Sequence, residues 1–407
     1  MNKQNNTPHV AIIGAGASGL AVSIFLSQYN IPSTIFEKNN KIGKKLLATG
    51  NGKCNVTNKN ISLENYHTTY SGTKELKKIF NIFNFDKCKN FFSNLGVEFL
   101  YRENGRAYPM SSSSSSIVDA LVFEVEQSKT PILTNTPVES IEYKNSNFII
   151  NQNKKFDIVI LASGSGAMPK LGGTDSGYTI SEQFNHSIIP PQPSLVQLIT
   201  NNKNLDLISG VKLTGMVNNH TGDILFTKYG VSGSAILDIS REIAIELQSN
   251  AHVPITIDIA PEFTREKLKS LLQQRIKTLN TRKVSLWLDG IFNKKLSQYI
   301  ISEAKLPSHI QYANQLGTKE INKIVHLIKN LPFTITDTKG FDHCEVCSGG
   351  VNLEEINLNT MESKKQKGLY IVGEVLDIDG DCGGYNLHFA WASAFAAATA
   401  IKSTINQ

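Results

Sequence analysis

The sequence has few of the features that stabilise secreted domains. Its 407 residues include only five cysteines, a small and odd number that does not suggest a disulfide framework. The first ten residues, MNKQNNTPHV, lack the cleavage pattern of a signal peptide. Both features are typical of a reducing compartment, and we expect a cytoplasmic protein.

Long apolar runs are scarce as well, and the charge balance is modest. The run VAIIGAGASGLAVSIFL spans 17 residues, contains glycines and has no basic flank, so we expect no membrane-spanning helix and no membrane partner. The chain has 41 Lys and Arg residues against 35 Asp and Glu, a net charge of +6. This mildly basic balance favours anionic ligands or a surface encounter with RNA, but it requires neither.

The first forty residues fit a strand, a glycine turn, a helix and a second strand. A short apolar strand at 10–13 is followed by Gly14, Gly16 and Gly19 with the spacing G-x-G-x-x-G. Such glycines permit a tight turn, the approach of a pyrophosphate and close packing of the helix on the strand. Glu37 ends the second strand, where a carboxylate accepts hydrogen bonds from an adenosine ribose. The pattern predicts dinucleotide binding; the alternative is a structural turn without a ligand.

A glycine-rich, basic segment, GKKLLATGNGKCNVTN, follows at 43–58 and is predicted to be a loop. FAD extends further than NAD at its reactive end, and FAD proteins often add a contact segment at this place. Lys44 and Lys45 would offset the pyrophosphate charge, while main-chain donors at 50–52 would reach the ribityl chain or the isoalloxazine. Lys53 and Asn55 would supply side-chain donors. The alternative is a solvated, mobile turn.

Two later segments complete the predicted cofactor site. DIVILASGSGAMPKLGG at 157–173 is an apolar strand followed by a glycine turn, although a buried strand and a loop would give the same pattern. Near the end of the chain, Glu374 follows the strand GLYIV and would accept hydrogen bonds from ribityl hydroxyls. A long helix is predicted from about Tyr385 to Lys402. Its first amides, at Asn386 and Leu387, would stabilise the negative charge of a reduced flavin.

These motifs resemble the BaiN/RdsA family of FAD-dependent oxidoreductases, also known as aminoacetone-oxidase-type flavoproteins. The similarity also includes GRAYPMSSSSSSIVDAL (105–121), ILFTKYGVSGSAILDIS (224–240) and GLYIVGEVLDIDGDCGGYNLHFAWASAFAAA (368–398), so it covers nearly the whole chain. Ser234 departs from the proline expected in the family. The resemblance implies FAD as the cofactor and a backbone contact from Val138 to its adenine. The residues predicted to bind FAD are Gly14, Ala15, Gly16, Ser18, Gly19, Glu37, Lys38, Lys44, Lys45, Gly50, Asn51, Gly52, Lys53, Asn55, Val138, Ala162, Ser163, Gly164, Gly373, Glu374, Gly384, Tyr385, Asn386 and Leu387.

The predicted fold class is α/β, with a Rossmann-like FAD-binding domain of the glutathione-reductase type interrupted by an insertion. Residues 1–191 and 343–407 would form the FAD-binding domain. Residues 192–342 would form an inserted β-barrel with a helical part, because β-patterned runs precede charged, helix-patterned ones. The G-x-G-x-x-G fingerprint occurs once, so we expect no separate NAD(P)H domain. A nicotinamide donor would have to visit the cavity that the substrate uses.

Several other motifs favour structural roles. Asp377, Asp379 and Asp381 have D-x-D-x-D spacing but no glutamate closes a calcium loop, so we expect turn hydrogen bonds or a place at the substrate entrance, and no metal. DHCEVCSGG contains C-x-x-C, but a zinc site needs a second ligand pair. We predict that this segment is a strand that enters a glycine turn, with the two cysteine thiols on opposite faces of the strand.

The segment 105–121 adds two further expectations. The six serines at 111–116 would cap and begin a helix. Arg106 and Tyr108, just before them, are candidates for a place near the cofactor or the substrate.

The predicted activity is hydride transfer through flavin N5, with NAD(P)H-dependent reduction of an activated C=C bond in a small molecule as the first hypothesis. The alternatives are reduction of uridine to dihydrouridine in 23S ribosomal RNA, oxidation of an amine such as aminoacetone, and a non-catalytic redox-sensing flavoprotein. The segment GDCGGYNLHFAWAS is closer to the bile-acid-reductase branch of the family. Tyr385, His388 and Cys382 flank the predicted flavin edge as candidate proton donors, and none is assigned as catalytic. The oligomeric state stays open.

Overall fold

A computed structural model describes residues 7–405 of the chain. Contacts divide the chain into two compact units, one built from Met1–Gln192 together with Glu345–Gln407, the other from Pro193–Cys344. The boundaries predicted from the sequence, after residues 191 and 342, differ from these limits by one and two residues. The first unit is therefore assembled from two separated stretches of sequence.

The helices and strands of the first stretch are, in chain order, β1 Val10–Ile13, α1 Ala17–Gln28, β2 Ser33–Phe36, α2 Lys44–Gly52, β3 Thr57–Asn58, β4 Tyr66–His67, α3 Thr73–Ile82, α4 Phe85–Asn94, β5 Phe99–Tyr101, β6 Arg106–Pro109, α5 Ser114–Gln127, β7 Ile132–Leu133, β8 Ile141–Lys144, β9 Asn147–Ile150, β10 Lys154–Phe156, β11 Ile158–Leu161, α6 Ser176–Gln183 and β12 Ile188–Ser194. The second unit then contains β13 Leu198–Thr200, β14 Lys212–Val217, β15 His220–Phe226, β16 Gly230–Ser232, α7 Ser234–Glu246, β17 Val253–Asp258, α8 Arg265–Thr278, α9 Lys294–Glu303, α10 Thr318–Lys329 and β18 Leu331–Thr338. The chain returns to the first unit with β19 Val346–Val351, β20 Ile356–Asn357, β21 Glu362–Ser363, β22 Leu369–Ile371, β23 Asp379–Gly380 and α11 Tyr385–Ile405.

A seven-stranded sheet in the order β20-β21-β22-β11-β1-β2-β7 forms the centre of the first unit. The five strands from β22 to β7 run parallel, and an antiparallel pair, β20 and β21, extends one edge. Every residue of β1, β2 and β11 is buried, as expected for a parallel sheet covered on both faces. Helix α1 packs against α11 and is buried from Ser18 to Leu26, which explains its nearly uniform apolar character.

Four smaller sheets accompany the large one, including the two-stranded sheet of β12 and β19. Strands β8, β9 and β10 form an antiparallel meander, and β3, β5 and β6 form a second three-stranded sheet. Strand β23, near the start of α11, pairs with β4 from the first stretch. The C-terminal stretch is thus tied to early parts of the chain by pairing as well as by helix packing.

The second unit is a closed barrel with a helical part. Its six strands follow the order β13-β16-β15-β14-β17-β18, and all neighbouring pairs are antiparallel. Strand β17 shows why the segment forms a barrel wall, because Val253, Ile255 and Ile257 are buried while the residues between them are exposed. Helix α10 buries residues at helical spacing, namely Ile321, Ile324, Val325 and Ile328. The predicted barrel and helical part are confirmed.

The structure differs from the predictions at several places. The segment 43–58 is not simply a loop, because α2 occupies Lys44–Gly52, although Thr49, Gly50 and Asn51 within it have non-helical backbone angles. The serine run does begin a helix, but Ser113 at the N-cap position makes no side-chain capping bond. The two glycines of CSGGV lie inside β19 rather than in a turn after it. Cys344 precedes that strand, so the argument that the two thiols diverge along one strand does not apply.

Candidate functional site

Three turns meet at the carboxyl ends of the parallel strands in the first unit. A Cβ atom placed on Gly14, which has φ +108°, would lie 2.5 Å from the carbonyl oxygen of Ala162, so the turns after β1 and β11 are in direct contact. A Cβ atom on Gly373, after β22, would lie 2.5 Å from Oγ of Ser18. Ligands of open parallel sheets bind outside this edge. The structure therefore brings together three of the turns that the sequence predicts to contact a cofactor.

Space remains above two glycines of these turns. Nothing lies within 4 Å of a Cβ atom built on Gly16 or on Gly164. Gly16 is the N-cap residue of α1, so the first amides of the helix, which lack partners within the helix, face the same turn. Open space over a glycine at a helix N-terminus is the arrangement that binds phosphate groups. These features fit the pyrophosphate of a dinucleotide.

Glu37 supports the glycine turn directly. Its side chain is 7% exposed, and Oε2 accepts a hydrogen bond from the amide of Ala15 at 2.9 Å. Oε1 accepts two more bonds from Asn39, at 2.8 Å from the amide and 2.6 Å from Nδ2. Each carboxylate oxygen has about two acceptor positions, so Oε2 keeps one for a ligand hydroxyl. Asn39 was not predicted, because its contact depends on a local turn with no sequence signature.

The segment after β7 lies beside the same carboxylate. The amide of Thr136 donates to the carbonyl oxygen of Glu37 at 2.9 Å, and the amide of Asn135 donates to that of Asn39 at 3.0 Å. Val138, predicted to contact adenine, follows in this segment and is buried. Lys38 is exposed, and its Nζ lies 3.4 Å from the carbonyl oxygen of Gly173.

The glycines at the end of α2 bend the chain sharply. Gly50, Asn51 and Gly52 have φ angles of 58°, 54° and 80°, a left-handed run that non-glycine residues rarely adopt. A Cβ atom on Gly50 would lie 3.3 Å from the amide nitrogen of Asn55 and 3.7 Å from Cε1 of Tyr108. The turn therefore faces strand β6. Lys53 is exposed, and Ser163 and Lys44 are partly buried.

The start of α11 is held closely against β3. A Cβ atom on Gly384, with φ +92°, would lie 2.7 Å from the carbonyl oxygen of Thr57 and 2.8 Å from Oδ1 of Asn55. Asn58 donates from Nδ2 to the carbonyl oxygen of Gly383 at 3.0 Å. Oδ1 of Asn55 is buried and has no hydrogen-bond partner among the described residues. The helix start is therefore tightly packed beside an unsatisfied polar atom.

Other side chains at the start of α11 have structural partners. Asn386 exchanges two hydrogen bonds with the backbone of Gly380, at 2.8 and 2.7 Å. The carbonyl oxygen of Tyr385 accepts from the hydroxyl of Tyr66 at 3.0 Å, and Leu387 is partly buried. Backbone amides at the helix start, rather than these side chains, are what the structure offers to a cofactor.

Arg106 and Tyr108 lie on one face of β6, next to the start of α11. Arg106 donates from Nη2 to the carbonyl oxygen of Cys382 at 3.0 Å. Burial raises the pKa of the Tyr108 phenol, and the charge of Arg106 acts in the opposite direction. Tyr108 also lies close to Gly50. Arg106 and Tyr108 therefore belong to the part of the candidate site that is formed by the end of α2 and the start of α11.

His388 is not suited to donate a proton to a substrate. Its side chain is fully buried, Nδ1 lies 2.8 Å from Oγ1 of Thr57, and Nε2 lies 3.0 Å from the carbonyl oxygen of Phe83. Burial lowers the pKa of His388 to about 4. Its role as a candidate donor is therefore wrong for a physical reason: both ring nitrogens are used inside the core. Tyr385 is 7% exposed, and Cys382 is partly exposed.

Two of the three aspartates before α11 have side-chain partners in the first stretch of the chain. Asp377 accepts a hydrogen bond from the amide of Thr69 at 3.0 Å, and Asp381 pairs with Nε2 of His67 at 2.7 Å. Within residues 7–405, no group of three or more His, Cys, Asp or Glu side chains is placed to hold a metal ion. None of the five thiols is joined in a disulfide.

The second unit has a cavity of its own, of about 270 Å³. It lies beside β14 and the segment after β17, and its lining is mostly apolar, with Leu213, Phe263 and Phe292 among the contributors. None of the residues predicted to bind FAD lines this cavity. We therefore place the candidate site at the carboxyl edge of the large sheet.

Comparison with known proteins identifies the family. Residues 8–400 match the family described as HI0933-like protein Rossmann domain. The chain belongs to this family. The HI0933-like family binds FAD and consists of FAD-dependent oxidoreductases, so the predicted resemblance, fold class, enzyme class and cofactor are confirmed. The open space over Gly16 and Gly164 and the unsatisfied oxygen of Asn55 fit such a cofactor.

Two curated relatives of this HI0933-like chain span nearly its full length. A 3-dehydro-bile acid delta(4,6)-reductase of Clostridium scindens is 32% identical, covering 96% of this chain and 98% of the relative. A ribosomal RNA dihydrouridine synthase of Haemophilus influenzae is 31% identical, with the same two coverages. Among solved structures, 3-ketosteroid delta1-dehydrogenase from Sterolibacterium denitrificans is 10% identical with a TM-score of 0.49, covering 98% of this chain and 100% of that one. Among residues 7–405, no helix is both long enough and apolar enough to cross a bilayer.

Proposed function

We propose that this chain reduces an activated C=C bond of a small molecule, with a reduced nicotinamide as electron donor and FAD as cofactor. The observation that carries the proposal is the 32% identity, over almost the whole of both chains, to a 3-dehydro-bile acid delta(4,6)-reductase. Bound FAD supplies transfer of a hydride between donor and substrate.

The residues of the chain hold and orient the cofactor in this proposal. The amides of the turn at Gly14–Gly16 bind the pyrophosphate, and the free acceptor position of Glu37 binds the adenosine ribose. The amides at the start of α11 face the flavin, where the positive end of the helix stabilises negative charge. The side-chain contacts of Asn386 with Gly380 keep that start in place.

Rapid anaerobic mixing tests the proposal. The purified yellow protein is mixed with NADH or NADPH, and bleaching of the flavin absorbance is followed. A 3-oxo bile acid with conjugated double bonds at positions 4 and 6 is then added. We expect bleaching by a nicotinamide, return of the absorbance with the enone, and a product two mass units heavier. A reduced flavin that the enone cannot reoxidise would contradict the choice of substrate class, and bleaching by aminoacetone instead would favour an amine oxidase.

Reduction of uridine in ribosomal RNA is the second candidate. It is supported by the 31% identity to a ribosomal RNA dihydrouridine synthase and, weakly, by the net charge of +6. Mass spectrometry of 23S rRNA from a deletion strain tests it. Loss of dihydrouridine that the intact gene restores would support this candidate, and an unchanged dihydrouridine content would remove it. A flavoprotein that no donor bleaches would instead be non-catalytic.

A further inference from the structure

Two adjacent lysines of α2 have different surroundings. Nζ of Lys45 lies 2.7 Å from Oε1 and 2.7 Å from Oε2 of Glu374, and the two side chains are 25% and 21% exposed. Within the part of the chain that the structure describes, Lys44 has no ion pair and no side-chain hydrogen bond. The charge of Lys45 is thus compensated by the protein, and the charge of Lys44 is not.

Glu374 is oriented by side chains from two separate elements. Besides Lys45, the hydroxyl of Ser165 donates to its Oε1 at 2.6 Å. Ser165 is only 2% exposed and also accepts a hydrogen bond from the amide of Ala167 at 3.2 Å, so its own position is fixed. Oε1 then has two donors and Oε2 has one. Since a carboxylate oxygen accepts about two hydrogen bonds, Oε2 keeps one position for a hydroxyl donor.

Lys44 lies next to the glycine turn. The amide of Gly43 donates to the carbonyl oxygen of Ala15 at 3.1 Å, which fixes the start of α2 on the turn after β1. Lys38 is close enough to Lys44 for the two positive charges to interact. Burial lowers the pKa of Lys38, the charges of Glu37 and Asp175 raise it, and the charge of Lys44 lowers it. Two nearby cations whose charges are not fully neutralised by acidic side chains form a favourable place for an anion.

We propose that the two lysines have separate tasks, with Lys44 compensating the pyrophosphate of FAD and Lys45 acting only through Glu374. Lys45 is a positioning residue that, with Ser165, holds the carboxylate ready for a ribityl hydroxyl. This inference rests on the proposed placement of FAD at the carboxyl edge of the sheet. It replaces the sequence-based expectation that both lysines offset the pyrophosphate charge.

Calorimetric titration of the apoprotein with ADP and with FAD separates the two tasks. ADP carries the adenosine and the pyrophosphate but neither the ribityl chain nor the flavin. We expect Lys44→Met to lower the affinity for ADP and for FAD by about tenfold. This loss of affinity should be smaller at high salt, because exposed charges are screened. We expect Lys45→Met to leave ADP binding unchanged and to weaken FAD by about tenfold, as for a lost hydrogen bond to a charged group.

A double-variant comparison supplies the control. Glu374→Gln alone should weaken FAD but not ADP, and adding Lys45→Met to it should cause little further loss, because the two residues act as one unit. Circular dichroism of each apoprotein checks folding, and the double variant removes both charges together, so it leaves no unpaired ion. Equal weakening of ADP by Lys44→Met and Lys45→Met would overturn the separation of tasks. Failure of the folded wild-type apoprotein to bind FAD would instead overturn the proposed cofactor site itself.

Discussion

One carboxylate oxygen of Glu37 accepts a hydrogen bond from the amide of Ala15 at 2.9 Å, across 22 residues of sequence. The acid at the end of β2 thus stabilises the glycine turn after β1 before any ligand arrives. The acid at this position of a dinucleotide-binding fold is expected to bind the ribose, and here Glu37 also holds the turn in place. Its replacement should therefore affect the apoprotein as well as cofactor retention.

We expect Glu37→Ala to lower the free energy of unfolding of the apoprotein by about 1–3 kcal/mol, because it leaves the buried amide of Ala15 and the partly buried amide of Asn39 without an acceptor. Urea unfolding followed by circular dichroism measures the change. Glu142→Ala is the matched control, since Glu142 is exposed on β8 and its loss should change stability by less than about 0.5 kcal/mol. Equal stability of the Glu37 and Glu142 variants would show that the bond to Ala15 contributes nothing.

Two glycines of the same turn give opposite expectations. Gly16→Ala should lower the stability of the apoprotein by no more than about 1 kcal/mol, the cost of alanine at an N-cap, because φ is −88° and nothing lies within 4 Å of the new Cβ atom. It should nevertheless reduce FAD binding by at least about tenfold, because the methyl group enters the space where backbone amides meet a phosphate.

Gly14→Ala is the comparison variant and should destabilise the apoprotein itself. Its Cβ atom would lie 2.5 Å from the backbone oxygen of Ala162, and φ is +108°. A left-handed conformation alone costs a non-glycine residue about 1–2 kcal/mol. Thermal melts and FAD titrations of both variants measure the two effects. Full FAD occupancy in Gly16→Ala would place the phosphates elsewhere.

The cysteines should differ sharply in reactivity. Cys54, Cys88, Cys344 and Cys347 are fully buried, and Cys382 is partly exposed. Burial raises the pKa of Cys54 to about 12 and also raises that of Cys88, so neither forms the reactive thiolate near neutral pH. We expect iodoacetamide at pH 8 to modify one thiol in the native protein and five in urea, as counted by mass spectrometry. Cys382→Ser should abolish the native reaction; undiminished labelling of that variant would contradict the assignment.

Local sequence patterns predicted much of the first unit. The strand at Val10–Ile13, the helix beginning at Ala17 and the helix beginning at Tyr385 stand where the glycine spacing indicates, because a glycine turn and a helix start are properties of a few adjacent residues. The barrel strands β14 and β17 could be predicted for a similar reason, since alternating burial along a strand leaves apolar residues at every second position of the sequence.

Contacts between residues that are far apart in the sequence could not be predicted from such local patterns. Lys45 and Glu374 are separated by 329 residues, and each was predicted to contact a different part of the cofactor. Nothing in the sequence around either residue indicates that the two charges meet, because the chain brings Lys45 of α2 and Glu374 after β22 together only in the folded structure. The helix in α2 was missed because its glycines resemble a loop, although the five residues from Lys44 to Ala48 complete a helical turn first.

The buried histidine provides a prediction about pH. His388 follows Gly384 by one helical turn, and its partners Thr57 and Phe83 are 331 and 305 residues away. Its pKa is lowered from 6.5 to about 4 in the folded protein, since burial disfavours the imidazolium. Below pH 6.5 the unfolded chain therefore binds a proton that the folded chain does not.

Stability should accordingly fall as the pH decreases from about 6.5 to 4, with His388 contributing about 3 kcal/mol of the loss by linkage. His186, whose pKa burial also lowers, acts in the same direction. Urea unfolding at several pH values measures the slope. His388→Gln should be less stable than the wild type at pH 7.5 but should lose less stability on acidification, because it has no group to protonate. Parallel pH profiles for the two proteins would mean that His388 is not held neutral by its buried site.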